Sequence, residues 1–255
     1  MPKITRRKAL SLSTATILGS ALATTAHLAP EQNKANETVE QKKIIVVGAH
    51  PDDPETGCGG TMALFARAGH SVVSAYLTRG EAGISGKSHS EAAAIRTEEA
   101  KTACALLKVR PAFLGQIDGN CEVTQARYQA VIEFLKNEQP ALVYTHWPID
   151  THRDHQVCSI LVYDAWLRLG RKFSLFYFEV MSGQQTQNFW PTDYVNIGSV
   201  VEQKHQACFA HQSQSIEKWY DQDHGKMERF RGLEFGCEYA EAFIRHVQSP
   251  EFSLP

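Results

Sequence analysis

From residue 42 onward the chain predicts an α/β fold: a Rossmann-like three-layer sandwich, its mostly parallel sheet covered by helices on both faces. Three observations carry this. Short, almost continuous apolar runs recur, as strands buried on both faces require. Amphipathic stretches of helical length separate them. The two patterns alternate, which is the order that builds parallel βαβ units.

The elements follow in order. "KKIIVVGA" at 42–49 is the first buried strand. "CGGTMALFARAG" at 58–69 reads as a helix that Gly69 can terminate. "SVVSAYLT" at 71–78 is the next strand, and "RGEAGISGKS" at 79–88 is a glycine-rich loop, with Gly80 and Gly83 suggesting close backbone packing. Ser88 with Glu91 three residues on forms a capping box for a helix running to about Leu107. "PAFLG" is a short strand, "TQARYQAVIEFLKNEQ" an amphipathic helix and "PALVYTH" another buried strand. Residues 155–169 read as helix and "FSLFYFEV" as strand.

With 255 residues, 43% of them hydrophobic, the chain can build one sizeable core. A net charge of −2 does not mark it as a nucleic-acid binder. The first residues differ from the rest. Lys3, Arg6, Arg7 and Lys8 precede a weakly apolar run ending in small residues, the layout of a signal peptide over 1–26. The Arg6-Arg7 pair resembles a twin-arginine signal, which implies export to the periplasm or beyond. The run is too short and too rich in Ser and Thr for a stable membrane span. Residues 27–41 read as a polar linker and 42–255 as the domain. None of the six cysteines forms a CxxC pair, so a structural zinc knuckle is not expected. Cys58 and Cys104 fall in helical patterns, as small core residues.

The chemistry concentrates in two places. "AHPDDPE" puts His50, Asp52, Asp53 and Glu55 directly after the first strand. "THWPIDTHRDHQ" puts His146, Asp150, His152, Asp154 and His155 after the "ALVYT" strand. Crowded carboxylates repel one another, and a metal ion taking both imidazole and carboxylate resolves the conflict. In open α/β sheets ligands bind beyond the carboxyl ends of the strands, so the two clusters meet at one edge. Catalytic zinc takes three protein ligands and keeps a position for water. His50, Asp53 and one histidine of the second cluster supply such a set and leave Asp52 free as a base.

Together with "LTRGEAG", "IRTEEAKTACALL" and "KHQACFAHQSQ", these motifs resemble the PIG-L/LmbE-like zinc-dependent N-deacetylases. The resemblance implies His50, Asp53 and His155 as metal ligands, Asp52 as general base, His152 as the group that stabilises or protonates the tetrahedral intermediate, and Asp154 as the carboxylate that orients His152. It implies Zn²⁺, or another divalent ion, as cofactor, and an N-acetylated amino sugar or glycoconjugate as substrate. The sequence departs from the common pattern at Pro54, which separates Asp53 from Glu55, and at Arg153. Arg96 is expected either on a substrate hydroxyl or phosphate, or in solvent beside Glu98 or Glu99. His211 is expected to line the pocket or to end a helix. Trp147, Trp190, Trp219 and Tyr220 are candidates for stacking on a sugar. Two rival readings stand beside this one: a metal-dependent amidase on a non-sugar substrate, and a carbohydrate-binding protein of the same fold without turnover.

Overall fold

A computed structural model of the protein describes residues 40–255. The signal peptide and all but the last two residues of the linker lie outside the described residues. Elements occur in the order β1 Lys43–Gly48, α1 Asp53–Arg67, β2 Ser71–Tyr76, α2 His89–Leu107, β3 Arg110–Phe113, α3 Gln125–Glu138, β4 Leu142–His146, α4 Arg153–Arg168 and β5 Ser174–Phe178. Then come β6 Asp193–Asn196, α5 Val201–Phe209, three 3₁₀ turns between Gln212 and Gln222, α6 His224–Phe235 and β7 Ala240–Arg245.

The seven strands form one sheet in the order β3-β2-β1-β4-β5-β7-β6. The first five are parallel, while β7 runs antiparallel to both β5 and β6. Alternation along β1 divides the core into two faces. Ile44 and Val46 join Met62, Phe65 and Ala207 on the side of α1 and α5. Ile45 and Val47 join Val131, Leu161 and Trp166 on the side of α3 and α4. These are the expected three layers.

Strand order reverses between β1 and β4, which are adjacent and parallel. This is the crevice where such sheets bind ligands, and it places the two polar clusters side by side. Two helices begin earlier than the sequence reading put them. α1 starts at Asp53 rather than in the "CGG" run, and α4 starts at Arg153 rather than at 155. Pro54 falls in the first turn of α1, where a missing N–H costs nothing. Both motifs therefore sit in helix first turns. The expected capping box is present, with the Ser88 and Glu91 N–H groups bonded to each other's side chains.

All six cysteines are free, and Cys58 and Cys104 lie in the core. Among the described residues no helix is long and apolar enough to cross a membrane.

Candidate active site

Asp53 is the hub of the site. Its Oδ2 accepts hydrogen bonds from the backbone N–H of His50 at 2.7 Å and of Ala49 at 3.1 Å. The same oxygen lies 3.2 Å from His50 Nδ1 and 3.2 Å from His146 Nε2. Its other oxygen lies 3.4 Å from His155 Nε2. Burial alone would raise this carboxyl, but His155 and His146 outweigh it and hold it well below the usual carboxylate range. His155 is held from its far side by Asp150, whose Oδ1 is 3.2 Å from Nδ1. Burial opposes a charge on His155, yet Asp53 and Asp150 push it up to about 9.

Of the three expected ligands, His50 and His155 each contact Asp53, but no single donor set holds all three. Three overlapping donor sets have atoms within 4.8 Å of one another: His50/His152/His155, Asp53/His146/His155 and His50/Asp118/Asp154. The His50 and His155 rings are 5.4 Å apart. Two buried imidazoles that close do not both remain cationic at low cost. A divalent ion with nitrogen and carboxylate donors replaces that repulsion, so the residues present fit the expected metal.

Asp52, next in sequence, has the opposite environment. It lines the cavity, and its Oδ2 accepts from Arg96 Nη2 at 2.9 Å. Burial raises its carboxyl above the ordinary range, opposed by Arg96 and reinforced by the charge on Asp53. Arg96 is buried and also donates to the Pro51 carbonyl. It is neither in solvent nor paired with Glu99, which instead accepts from Ser213. Gly80, at φ 71, and Gly83 have no side chain because one there would run into the Arg96 guanidinium.

His152 caps α4, its Nδ1 accepting the Asp154 backbone N–H at 3.3 Å. An accepting Nδ1 puts the proton of the neutral ring on Nε2. Burial and then the neighbouring His50 and His155 push the His152 pKa down. The expected role of Asp154 needs correction here. Its carboxylate does not bond His152; it accepts from the Gly119 N–H at 2.7 Å and lies 3.4 Å from His50 Nε2. The Asp154 side chain turns toward His50 and Gly119, while its main-chain N–H serves His152.

His211 is also placed differently from its expected pocket role. It is fully buried outside the cavity lining, with Nε2 3.4 Å from Glu55 Oε2. Glu55 is fully buried too and accepts from Tyr76 Oη at 2.6 Å, Ser74 Oγ at 3.1 Å and the Asp52 N–H at 3.2 Å. Of the aromatic candidates Trp219 lines the cavity, Tyr220 is buried against Glu228, and Trp190 is exposed.

The sequence reading missed Asp118 and gave His146 no role. Asp118 Oδ1 lies 3.1 Å from His50 Nε2, and its N–H is held by Glu81. The Asp118-Gly119 turn follows β3 at the same sheet edge as the motifs, and that position was the available signal.

Residues 45–166 match the family model described as PIG-L, GlcNAc-PI de-N-acetylase. An uncharacterized deacetylase of Escherichia coli is 31% identical over 137 residues, which span 49% of this chain and 66% of that protein, just under two thirds. The diacetylchitobiose deacetylase of Thermococcus kodakarensis is 29% identical over 72% of this chain and 74% of its own. The solved N,N'-diacetylchitobiose deacetylase of Pyrococcus horikoshii superimposes with a TM-score of 0.72 at 25% identity, covering 81% of this chain and 84% of that one. Over the segment that carries both motifs the chain is similar to the PIG-L/LmbE-like N-deacetylases.

Proposed function

We propose that this protein removes the acetyl group from an N-acetylated amino sugar or glycoconjugate with the help of one divalent metal ion. A single observation supports this best: two consecutive carboxylates in opposite electrostatic settings. Asp53 is enclosed by imidazoles and backbone N–H groups that favour its anion. Asp52 faces the cavity with its proton affinity raised. Neighbouring titratable groups driven apart in this way mark a division of roles between holding charge and moving a proton.

His50, Asp53 and His155 would hold the ion, which the family resemblance makes zinc, with Asp150 fixing the far nitrogen of His155. When bound, the ion polarises the amide carbonyl and acidifies a water. The remaining work falls to the chain. Asp52 takes the water's proton and delivers it to the leaving nitrogen. Arg96 fixes the Asp52 carboxylate and bonds the Pro51 carbonyl, so the base keeps its direction. His152 donates from Nε2 to the carbonyl oxygen as negative charge develops there. A neutral imidazole suffices for that role, in keeping with its lowered pKa.

The two diacetylchitobiose deacetylases named above act on an N-acetylated sugar, which supports a sugar over another amide. The free carboxylate of Asp52 beside the metal donors supports turnover over binding alone. The test is acetate release by zinc-loaded protein from N-acetylglucosamine, diacetylchitobiose and an N-acetylated peptide. Release from the sugars, lost on chelation and restored by zinc, is expected. Release from the peptide alone selects the amidase reading, and none from any substrate selects the binding reading.

A further inference from the structure

We infer that this cavity is built for an N-acyl group longer than acetyl, an inference that rests on the N-deacetylase reading above. The cavity holds about 440 Å³. Its lining follows the strand order. Ala82, Gly83 and Arg96 come from the β2 side, and Asp118 and Gly119 from the loop after β3. The metal donors and Asp52 come from β1 and β4, in the middle of that order. Val180 and Met181 come from the loop after β5, at the other end. From β3 to β5 is four strand spacings, about 19 Å at about 4.8 Å each. The scissile amide belongs at the middle.

The two ends differ in chemistry. Arg96 and Asp118 offer a cation and a carboxylate, partners that a polyhydroxylated ring needs. At the β5 end the walls are Val180 and Met181 beside Gln185, and the 3₁₀ segment that crosses the cavity adds Ile216 and Trp219 to the lining, with His224 directly after it. That segment spans the cavity. Gln214 Nε2 donates to the Gly83 carbonyl at one side, and Asp223 accepts from Gln184 Nε2 at the other. A sugar hydroxyl gains little from the apolar end, whereas a hydrocarbon chain gains from burial there. Val180 and Ile216 are backed by the core, Met181 and Trp219 are half-buried, and an acetyl group presents only one methyl to cover them.

The apolar end is held in place by the surrounding chain. Met181 sits at φ 46, a conformation unusual for a non-glycine residue. Its carbonyl accepts from the N–H groups of both Gln184 and Gln185, and the next N–H, that of Ser182, meets Met227 Sδ at 3.0 Å. The strained turn sets a flexible thioether on the cavity wall, a side chain that adapts to acyl chains of different length.

The experiment compares N-acetyl-, N-butyryl- and N-hexanoylglucosamine. kcat/KM is measured on zinc-loaded protein, and Kd by calorimetry on the Asp52→Asn variant. Each fully buried methylene is worth about fourfold. For a half-open arm the hexanoyl compound is expected to exceed the acetyl compound by about tenfold or more in both readouts. Met181→Ala should reduce that ratio by about threefold or more. Equal or better handling of the acetyl compound overturns the inference. So does a gain for N-acetylglucosamine octyl glycoside in place of the hexanoyl amide, which would give the arm to the aglycone. Absence of turnover and binding with every N-acyl sugar would overturn the deacetylase reading itself, an outcome distinct from turnover confined to acetyl.

Discussion

At Asp52 the backbone takes φ 115 and ψ −31, a region that costs an ordinary residue about 1–3 kcal/mol. Three contacts hold it there: the Asp52 N–H on Glu55, and Arg96 on both the Asp52 carboxylate and the Pro51 carbonyl. The strained turn allows consecutive aspartates to face different partners. Asp53 meets imidazoles and Asp52 meets the cavity. The motif residues were legible because carboxylates and imidazoles crowd directly behind buried strands. The true partner of Asp154 was not, because it depends on how the α4 N-terminus sits against the Asp118-Gly119 turn. His211 was misplaced for a similar reason: sequence spacing put it near the site but not beneath Glu55. His155→Ala should lose most of its metal, since His50 and Asp53 alone leave two donors where structural and catalytic zinc takes at least three from the protein. Elemental analysis of the variant after gel filtration checks this, and full occupancy would reject His155 as a ligand.

At the scale of elements, α1 carries the base and the central carboxylate, and an ionic cluster pins its middle. Glu241 on β7 accepts from the N–H groups of Gly60 and Thr61 at 2.9 and 2.8 Å. Lys204 on α5, also buried, bridges Glu241 and Glu228 at 2.8 and 2.7 Å. Gly59 makes room for the lysine stem, since a Cβ there would lie 2.9 Å from its Cγ. Burial alone would raise the Glu228 carboxyl, but Lys204, His205 and Tyr220 bring it down to about 2. A depressed carboxyl adds stability that is fully present above its unfolded value, near 4.5, and lost as pH falls toward about 2. Glu228→Gln should therefore destabilise the protein at pH 7 by about 3 kcal/mol. The gap to wild type should narrow as pH drops from about 4.5 toward about 2. Denaturant unfolding across that range measures it, and a gap independent of pH would refute the charged role of Glu228. This part of the chain was the least legible in sequence. The inward side of α6 carries Glu228 and Arg231, the latter bonded by two nitrogens to Glu179 at 2.7 Å each, while Phe230 and Leu233 are exposed. Apolar periodicity marks an inward face only when that face is apolar. In α6 the pattern is inverted.

For the whole molecule, the parallel half of the sheet was readable because each of its strands is a nearly unbroken apolar run, and its helices have caps or amphipathic faces. The switch point between β1 and β4 then follows from the βαβ order, and with it the meeting of two motifs about 100 residues apart in sequence. The antiparallel return through β7 and β6 was not readable, because short strands without a periodic neighbour carry little signal. The fold alone does not fix a reaction. The division of labour between Asp52 and Asp53 is the central claim, and Asp52→Asn tests it most directly. Asparagine tolerates the positive φ and keeps the size of the side chain, but it cannot accept a proton. Metal content and kcat of purified Asp52→Asn should be measured together on an N-acetylated sugar that the wild type turns over. The account predicts wild-type metal content with kcat lower by about 10²–10⁴. Loss of the metal would make Asp52 a ligand, and full metal with near-normal kcat would give the proton transfer to another group; either result contradicts the account.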